Sequence, residues 1–251
     1  MAYKSKALSP FTKTLLNNVK EHCSRTNILS HKDDYTIVAC SGGVDSIASL
    51  IVMKLLKFNV KDVVYVNHRM RPTQECAKDV EVVKAAVHAL FASSVKVHEL
   101  CLKTIPKNET EARDLRYEQF IKFYEEQQKN IMSLYKEMNI ITAHHLDDQI
   151  ETFLMKALKG SRLDSLKGAC PQRTLNYADL TLLRPLLTIQ KIDLKRLVEE
   201  FGLEWHEDVT NKDNTVERNF VRNELLPNIY KMFPAAKSGL IETMIKLYEA
   251  K

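Results

Sequence analysis

No apolar run in this chain of 251 residues approaches the roughly 18 to 20 residues that cross a bilayer, and the N-terminus lacks the apolar stretch of a secretory signal. Both absences predict a soluble, cytoplasmic protein. An organellar transit segment is the weaker reading, because the first arginine comes only at Arg25. No C-x-x-C occurs either: Cys23, Cys40, Cys76, Cys101 and Cys170 are scattered, which argues against a zinc knuckle or a thioredoxin-like pair and predicts reduced thiols. There is no internal repeat, low-complexity tract or Pro/Gly-rich linker. Neither a Walker A loop nor the G-x-G-x-x-G dinucleotide fingerprint is present.

What is present is a chain 45% hydrophobic and long enough to bury a full core. Short β-branched runs, YTIVAC, DVVYVNH, SVKVHEL, NIITAHH and LTLLRPLL, alternate with longer amphipathic stretches. That alternation predicts an α/β fold, a parallel sheet with helices on both faces. After the helical stretch IQKIDLKRLVEEFG, which stops at Gly202, only loop and helix are expected. The predicted organisation is a basic N-terminal helix region over residues 1–32, a sheet domain over 33–202 and a loop with a short helical extension over 203–251.

The formal charge is +5, and residues 1–32 account for it: Lys4, Lys6, Lys13, Lys20, Arg25 and Lys32 stand against Glu21. Such a helix can grip phosphate, although from charge alone a solvated helix face is the preferred reading.

Ligands of parallel sheets sit at the carboxyl ends of the strands, and Ser41-Gly42-Gly43-Val44-Asp45-Ser46 ends the first of them. The glycines permit a sharp turn and a close backbone approach, Asp45 or Ser46 can cap the next helix, and that helix start offers free N–H groups to an anion. VNHRMRP brings His68, Arg69 and Arg71 to the end of the second strand. NETEARDLRYEQF sets Glu111, Arg113 and Arg116 on one helix, the two arginines on one face.

TAHHLDDQIETF gathers His144, His145, Asp147, Asp148 and Glu151 at one strand end. Helix-dipole stabilisation explains one aspartate there, but not the whole group. Mg²⁺ held through carboxylates and phosphates, a pocket for a cationic substrate, and acid–base chemistry all remain open. Zinc is less expected, since adjacent histidines point to opposite sides of a strand. Further on, Asp208, Asn211, Arg218, Asn219 and Arg222 lie in a polar, turn-rich stretch that reads as a surface loop.

SGGVDS resembles the signature of the PP-loop, or N-type, ATP pyrophosphatases. The series VNHRMRP, EARDLRY, TAHHLDDQIET, RPLL and EDVTNKDN…RNFVRNELLP, in that order over residues 35–227, closely resembles the catalytic domain of the tRNA(Ile)-lysidine synthetases. The resemblance implies ATP and Mg²⁺ as cofactors. It also implies an isoleucine tRNA with a CAU anticodon and L-lysine as partners, with a homodimer as a further expectation. The implied reaction adenylates the wobble cytidine and ligates lysine to it, with release of AMP and diphosphate.

By the same resemblance Ser41, Gly42, Gly43, Val44, Asp45 and Ser46 hold the phosphates. Arg113, His144, Asp148, Glu151 and Arg218 surround the reacting groups, and Asp45 and Asp147 are the candidate metal ligands. A tRNA thiolase and a non-catalytic ATP- or RNA-binding paralogue are the alternatives. The sequence departs from the family pattern in its glycine-poor loop KGSRLDSLKGACPQR, in a long helix after Phe120 and in ending at Lys251, where tRNA-binding domains are expected. Either this is a compact version of the family, or the basic N-terminal helix with Lys159, Arg162, Lys167 and Arg173 carries more of the RNA binding.

Overall fold

The computed structural model describes residues 7–131, 137–175 and 180–249. The expectations resting on Lys4 and Lys6, and on the part of the long helix at 132–136, lie outside the described residues. Helix α1 (Pro10–Arg25) starts at Ser9, whose hydroxyl accepts the Thr12 N–H at 3.0 Å, with proline at the first position. Strand β1 (Tyr35–Ala39), helix α2 (Val44–Leu56), strand β2 (Val60–Asn67), helix α3 (Thr73–Phe91), strand β3 (Lys96–Cys101) and helix α4 (Glu109–Ile131) follow. Next come β4 (Met138–Ile141), α5 (Leu146–Leu158), the short α6 (Leu163–Leu166), β5 (Gln172–Thr174), β6 (Leu180–Leu183) and α7 (Lys191–Glu200). The remaining elements are a 3₁₀ turn (Val209–Lys212), α8 (Glu217–Phe220), a π-helical turn (Val221–Leu225), α9 (Leu226–Met232) and α10 (Ala236–Glu249).

These elements form two compact units, Met1–Ala143 with Pro171–Glu207, and His144–Cys170 with Asp208–Lys251. In the first unit the described strands make a six-stranded sheet in the order β3-β2-β1-β4-β6-β5. All pairs are parallel except β5 with β6. Each central strand carries two consecutive apolar residues that the pleat sends to opposite faces. Val38, Val63, Ile141 and Leu183 pack under α1, α2, α3 and α7, while Ile37, Val64, Ile140 and Leu182 pack against Tyr117, Phe120, Phe123 and Tyr124 of α4. The expected parallel sheet covered on both faces is what the chain builds. Truncating a fully buried residue such as Ile37 or Ile140 to alanine costs about 2–5 kcal/mol.

Two details depart from the sequence reading. The run LTLLRPLL is strand only to Leu183, because Pro185 has no N–H to give a neighbour and a turn begins there. The edge strand β5 was expected to be loop: Gln172-Arg173-Thr174 has no apolar alternation, and only its pairing with β6 reveals it.

In the second unit the apolar side chains Ile150 and Phe153 of α5 meet Val221, Leu226 and Met244. Its described elements are helical, as expected beyond Leu203. Among the described residues no helix is long and apolar enough to cross a membrane.

Candidate functional site

The phosphate-loop candidate joins β1 to α2 in the first unit. Gly42 has φ +84°, and a Cβ there would stand 3.1 Å from the Asp79 carbonyl oxygen and 3.2 Å from its Cα. Glycine is required there by backbone conformation and by space. Gly43 (φ −74°, ψ 158°) is the N-cap of α2 and gives it no side-chain cap. Asp45 and Ser46, the expected caps, lie inside the first turn. The Ser46 hydroxyl accepts the Ser41 N–H at 3.1 Å and donates to the Gly43 carbonyl at 2.8 Å, which pins the loop onto its own helix. A helix start without a side-chain cap, with the positive end of its dipole at the loop, fits a phosphate. Asp45 lies 3.5 Å from the Lys191 ammonium.

Further along the carboxyl edge of the same sheet is a cationic group. Burial, then Arg116 and Arg71, push the His68 imidazole down to about 4, so it is neutral at physiological pH. Its Nδ1 and the Arg116 Nε are buried without a hydrogen-bond partner. Arg116 lies 5.7 Å and Arg173 5.2 Å from the Tyr117 ring centroid, and an Arg184 Nη2 reaches the Tyr117 hydroxyl at 3.4 Å. Burial raises the Tyr117 phenol, but Arg116, Arg184 and Arg173 outweigh it and leave it below its ordinary value. Arg113 is exposed and lies 3.8 Å from Asp114. Arg116, which the sequence reading left outside the site, is the one turned inward.

The second unit assembles the HHLDDQIE stretch. His145 is 1% exposed and caps α5: its Nδ1 accepts the Asp148 N–H at 3.3 Å, while an Asp148 carboxylate oxygen accepts the His145 N–H at 3.1 Å. The histidines therefore lie beyond β4, and His145 serves as a helix cap. Glu151, also 1% exposed, receives Arg218 Nε at 2.9 Å, Arg222 Nε at 2.6 Å and Arg222 Nη2 at 2.8 Å. The Asp148 Oδ1 lies 3.3 Å from Arg218 Nη2 and 3.5 Å from Arg222 Nη2.

Burial works to raise the Asp148 carboxyl, but His145, Arg218 and His144 hold it below the usual aspartate value. Asp147 pairs with Lys237 of α10 at 2.9 Å. Burial, then Asp147 and Glu151, push the Tyr230 phenol up to about 12. Asn219 donates to the Thr210 and Asp213 carbonyls, at 2.9 Å each, and thereby ties down the polar loop before α8.

Among the described residues, the groups of three or more possible ligands close enough to share an ion are confined to His31, Asp34 and Glu137. Asp45 and Asp147 are not in that group.

The PP-loop domain profile matches residues 11–229. The chain belongs to the PP-loop family. Two relatives are the tRNA(Ile)-lysidine synthases of Treponema denticola and Bacillus subtilis, each 31% identical. They match over 94% and 90% of this chain but 50% and 48% of their own length, so the chain spans about half of those relatives. Among solved structures, the U34-tRNA thiolase NcsA of Methanococcus maripaludis with its [4Fe-4S] cluster has a TM-score of 0.67 over 96% of this chain and 80% of its own. At 15% identity this likeness shows the shared PP-loop fold alone.

The sequence reading of this PP-loop chain left Tyr117, Arg184, Arg222 and Lys237 without a role, and Tyr230 unremarked. The Glu151–Arg222 spacing of 71 residues gives no local signal. Only Arg116, one turn from Arg113, carried a periodicity that could have promoted it.

Proposed function

We propose that this chain carries out the ATP-dependent ligation of lysine to the wobble cytidine of an isoleucine tRNA with a CAU anticodon. The observation that carries the reading is the His145–Asp148 cap beside the doubly clamped Glu151. It is built from the HHLDDQIE and RNFVR stretches shared in order with the resemblance to the lysidine synthetases. The relatives named as lysidine synthases, about 30% identical over most of the chain, support the same reading.

In the first half-reaction the cytosine C2 oxygen attacks the α-phosphorus of ATP and diphosphate leaves, giving an adenylated cytidine. The loop Ser41 to Ser46 holds the departing diphosphate through backbone N–H groups and the α2 dipole. Arg116, Arg184 and Arg173 offer positive charge to phosphate oxygens, of nucleotide or of RNA. Asp45 in the first unit and Asp147 in the second are each candidate carboxylates for Mg²⁺, which would neutralise phosphate charge.

In the second half-reaction the lysine amine attacks C2, a proton leaves the nitrogen and AMP departs. Asp148, held ionised by His145, Arg218 and His144 and partly open, is the candidate partner of a lysine ammonium group, and His144 is the candidate proton acceptor. Both oxygens of Glu151 are engaged by arginines, so its role is to orient Arg218 and Arg222. Arg113, exposed in this structure, is assigned to RNA phosphate. A cytoplasmic location and a homodimer belong to this reading as expectations.

A thiolase reading is less well supported. Burial pushes the Cys23 thiol up to about 12 and the Cys40 thiol up to about 11, which disfavours reactive thiolates at either position. The deciding experiment incubates the protein with ATP, radiolabelled lysine and unmodified tRNA transcripts, in parallel with a labelled sulfur donor. Lysine label in tRNA with one AMP released per lysine is expected; sulfur label, or AMP release without lysine incorporation, overturns the reading.

A further inference from the structure

We propose that His206 and Asp79 are positioning residues for the phosphate loop: together they set the orientation of the Gly42–Gly43 peptide that receives the ATP phosphates. The inference deepens the functional reading above and rests on it for the identity of the nucleotide. Asp79, on α3, is 2% exposed, and each of its carboxylate oxygens is engaged. Tyr65 donates its hydroxyl to Oδ2 at 3.0 Å, Arg71 donates Nη2 to the same oxygen at 2.5 Å, and His206 Nδ1 meets Oδ1 at 2.7 Å. The other ring nitrogen of His206 lies 3.1 Å from Glu75 Oε2, one turn earlier on α3. The imidazole is thus fixed from both sides against that helix.

The main chain at both residues reaches the loop. The His206 N–H donates to the Gly42 carbonyl at 2.9 Å, and the Asp79 backbone fills the space that a Cβ on Gly42 would need. A trans peptide points its C=O and N–H in opposite directions, and the described residues contain no cis bond. Holding the Gly42 carbonyl on His206 therefore aims the Gly43 N–H the other way, at the start of α2 where an anion is received. Asp79 and His206 are 127 residues apart in sequence. Their side-chain bond is what couples α3, the segment after α7 and the loop into one rigid turn. Fixed donors of this kind cost no reorganisation when the phosphate arrives.

The test compares wild type, His206→Ala and His206→Asn for Mg-ATP dissociation constant by calorimetry, for KM and kcat in tRNA-dependent AMP formation, and for melting temperature. Removing one hydrogen bond to a charged partner predicts that His206→Ala raises both the ATP dissociation constant and the ATP KM about tenfold. Its kcat and lysine KM are expected to stay within about threefold. His206→Asn, whose amide N–H can stand in for Nδ1–H, is expected to recover most of the ATP affinity. A wild-type ATP dissociation constant in His206→Ala overturns the inference and leaves the functional reading standing. So does a parallel loss in ATP KM, lysine KM and kcat with a lowered melting temperature, which marks general loosening. The predicted pattern of ATP binding in a protein that incorporates no lysine supports the inference and removes the functional reading. A wild-type protein that binds no ATP removes both.

Discussion

Arg222 closes on Glu151 through two parallel hydrogen bonds, Nε to Oε1 at 2.6 Å and Nη2 to Oε2 at 2.8 Å. Arg218 Nε adds a third at 2.9 Å, so a carboxylate 1% exposed is satisfied by two guanidinium groups. Breaking such a cluster from one side leaves charge buried and unpaired, which costs about 3–5 kcal/mol. Glu151→Gln is expected to lower the unfolding free energy of the second unit by that order and to abolish lysine incorporation. Arg222→Lys, which keeps the charge but not the fork, is expected to fall between Glu151→Gln and wild type. Denaturant unfolding monitored beside lysine incorporation checks both; wild-type stability in Glu151→Gln contradicts the clamp.

The two loop glycines are expected to fail differently. Gly42→Ala meets the Asp79 backbone at 3.1–3.2 Å and a positive φ, so it should lose about 1–3 kcal/mol of stability together with ATP binding. A Cβ on Gly43 meets only Ser41 Oγ at 3.6 Å, so Gly43→Ala should fold like wild type. Any loss of AMP formation in Gly43→Ala then reports the bound phosphates. Thermal melts with calorimetric ATP titration separate the two, and equal destabilisation by both variants would contradict this assignment.

His68 is expected to shape the acid limb of stability. Its folded-state value of about 4 lies below the ordinary 6.5, so between those limits the unfolded chain binds more protons than the native one. Stability due to His68 is therefore fully present above pH 6.5 and is lost as pH falls toward 4, at no more than about 1.4 kcal/mol per pH unit. Asp148 acts in a lower window: its contribution is present above the ordinary aspartate value of 3.8 and lost as pH falls through its depressed one. Denaturant midpoints from pH 7 to pH 3 should show His68→Gln flattening the upper part of the limb and Asp148→Asn the lower.

Binding of tRNA is expected to be salt-sensitive, with the exposed Lys13, Lys20 and Arg162 among the phosphate contacts. Lys159 and Lys167 contribute less, because Lys159 is paired with Glu217 and Lys167 lies 3.2 Å from Asp164. The log-log salt slope should shrink by about 0.7–0.9 for each contact removed. Filter binding from low to high salt with Lys13→Gln/Lys20→Gln and with Arg162→Gln measures this. An unchanged slope in the double variant assigns α1 to solvent alone.

The sequence by itself determined the sheet and its phosphate loop. Consecutive apolar pairs such as Ile37-Val38 and Ile140-Ile141 can be satisfied only by burial on both faces of a strand. Ser41 to Ser46 then had to turn sharply at the end of the first one, and the order of the later motifs pointed to the chemistry. Local spacing also brought His145, Asp148 and Glu151 to one helix start, because residues three or four apart share a face. What the tertiary structure alone decided is which group holds which. Glu151 is closed by Arg218 and Arg222, Asp147 meets Lys237, Arg116 turns inward while Arg113 faces solvent, and Asp79 receives His206 beside Gly42. These pairings join positions 67 to 127 residues apart, or turn on a helix's rotation against its neighbours. No periodicity encodes them, because the packing of whole elements, not the preference of any one segment, brings such charges within hydrogen-bonding distance.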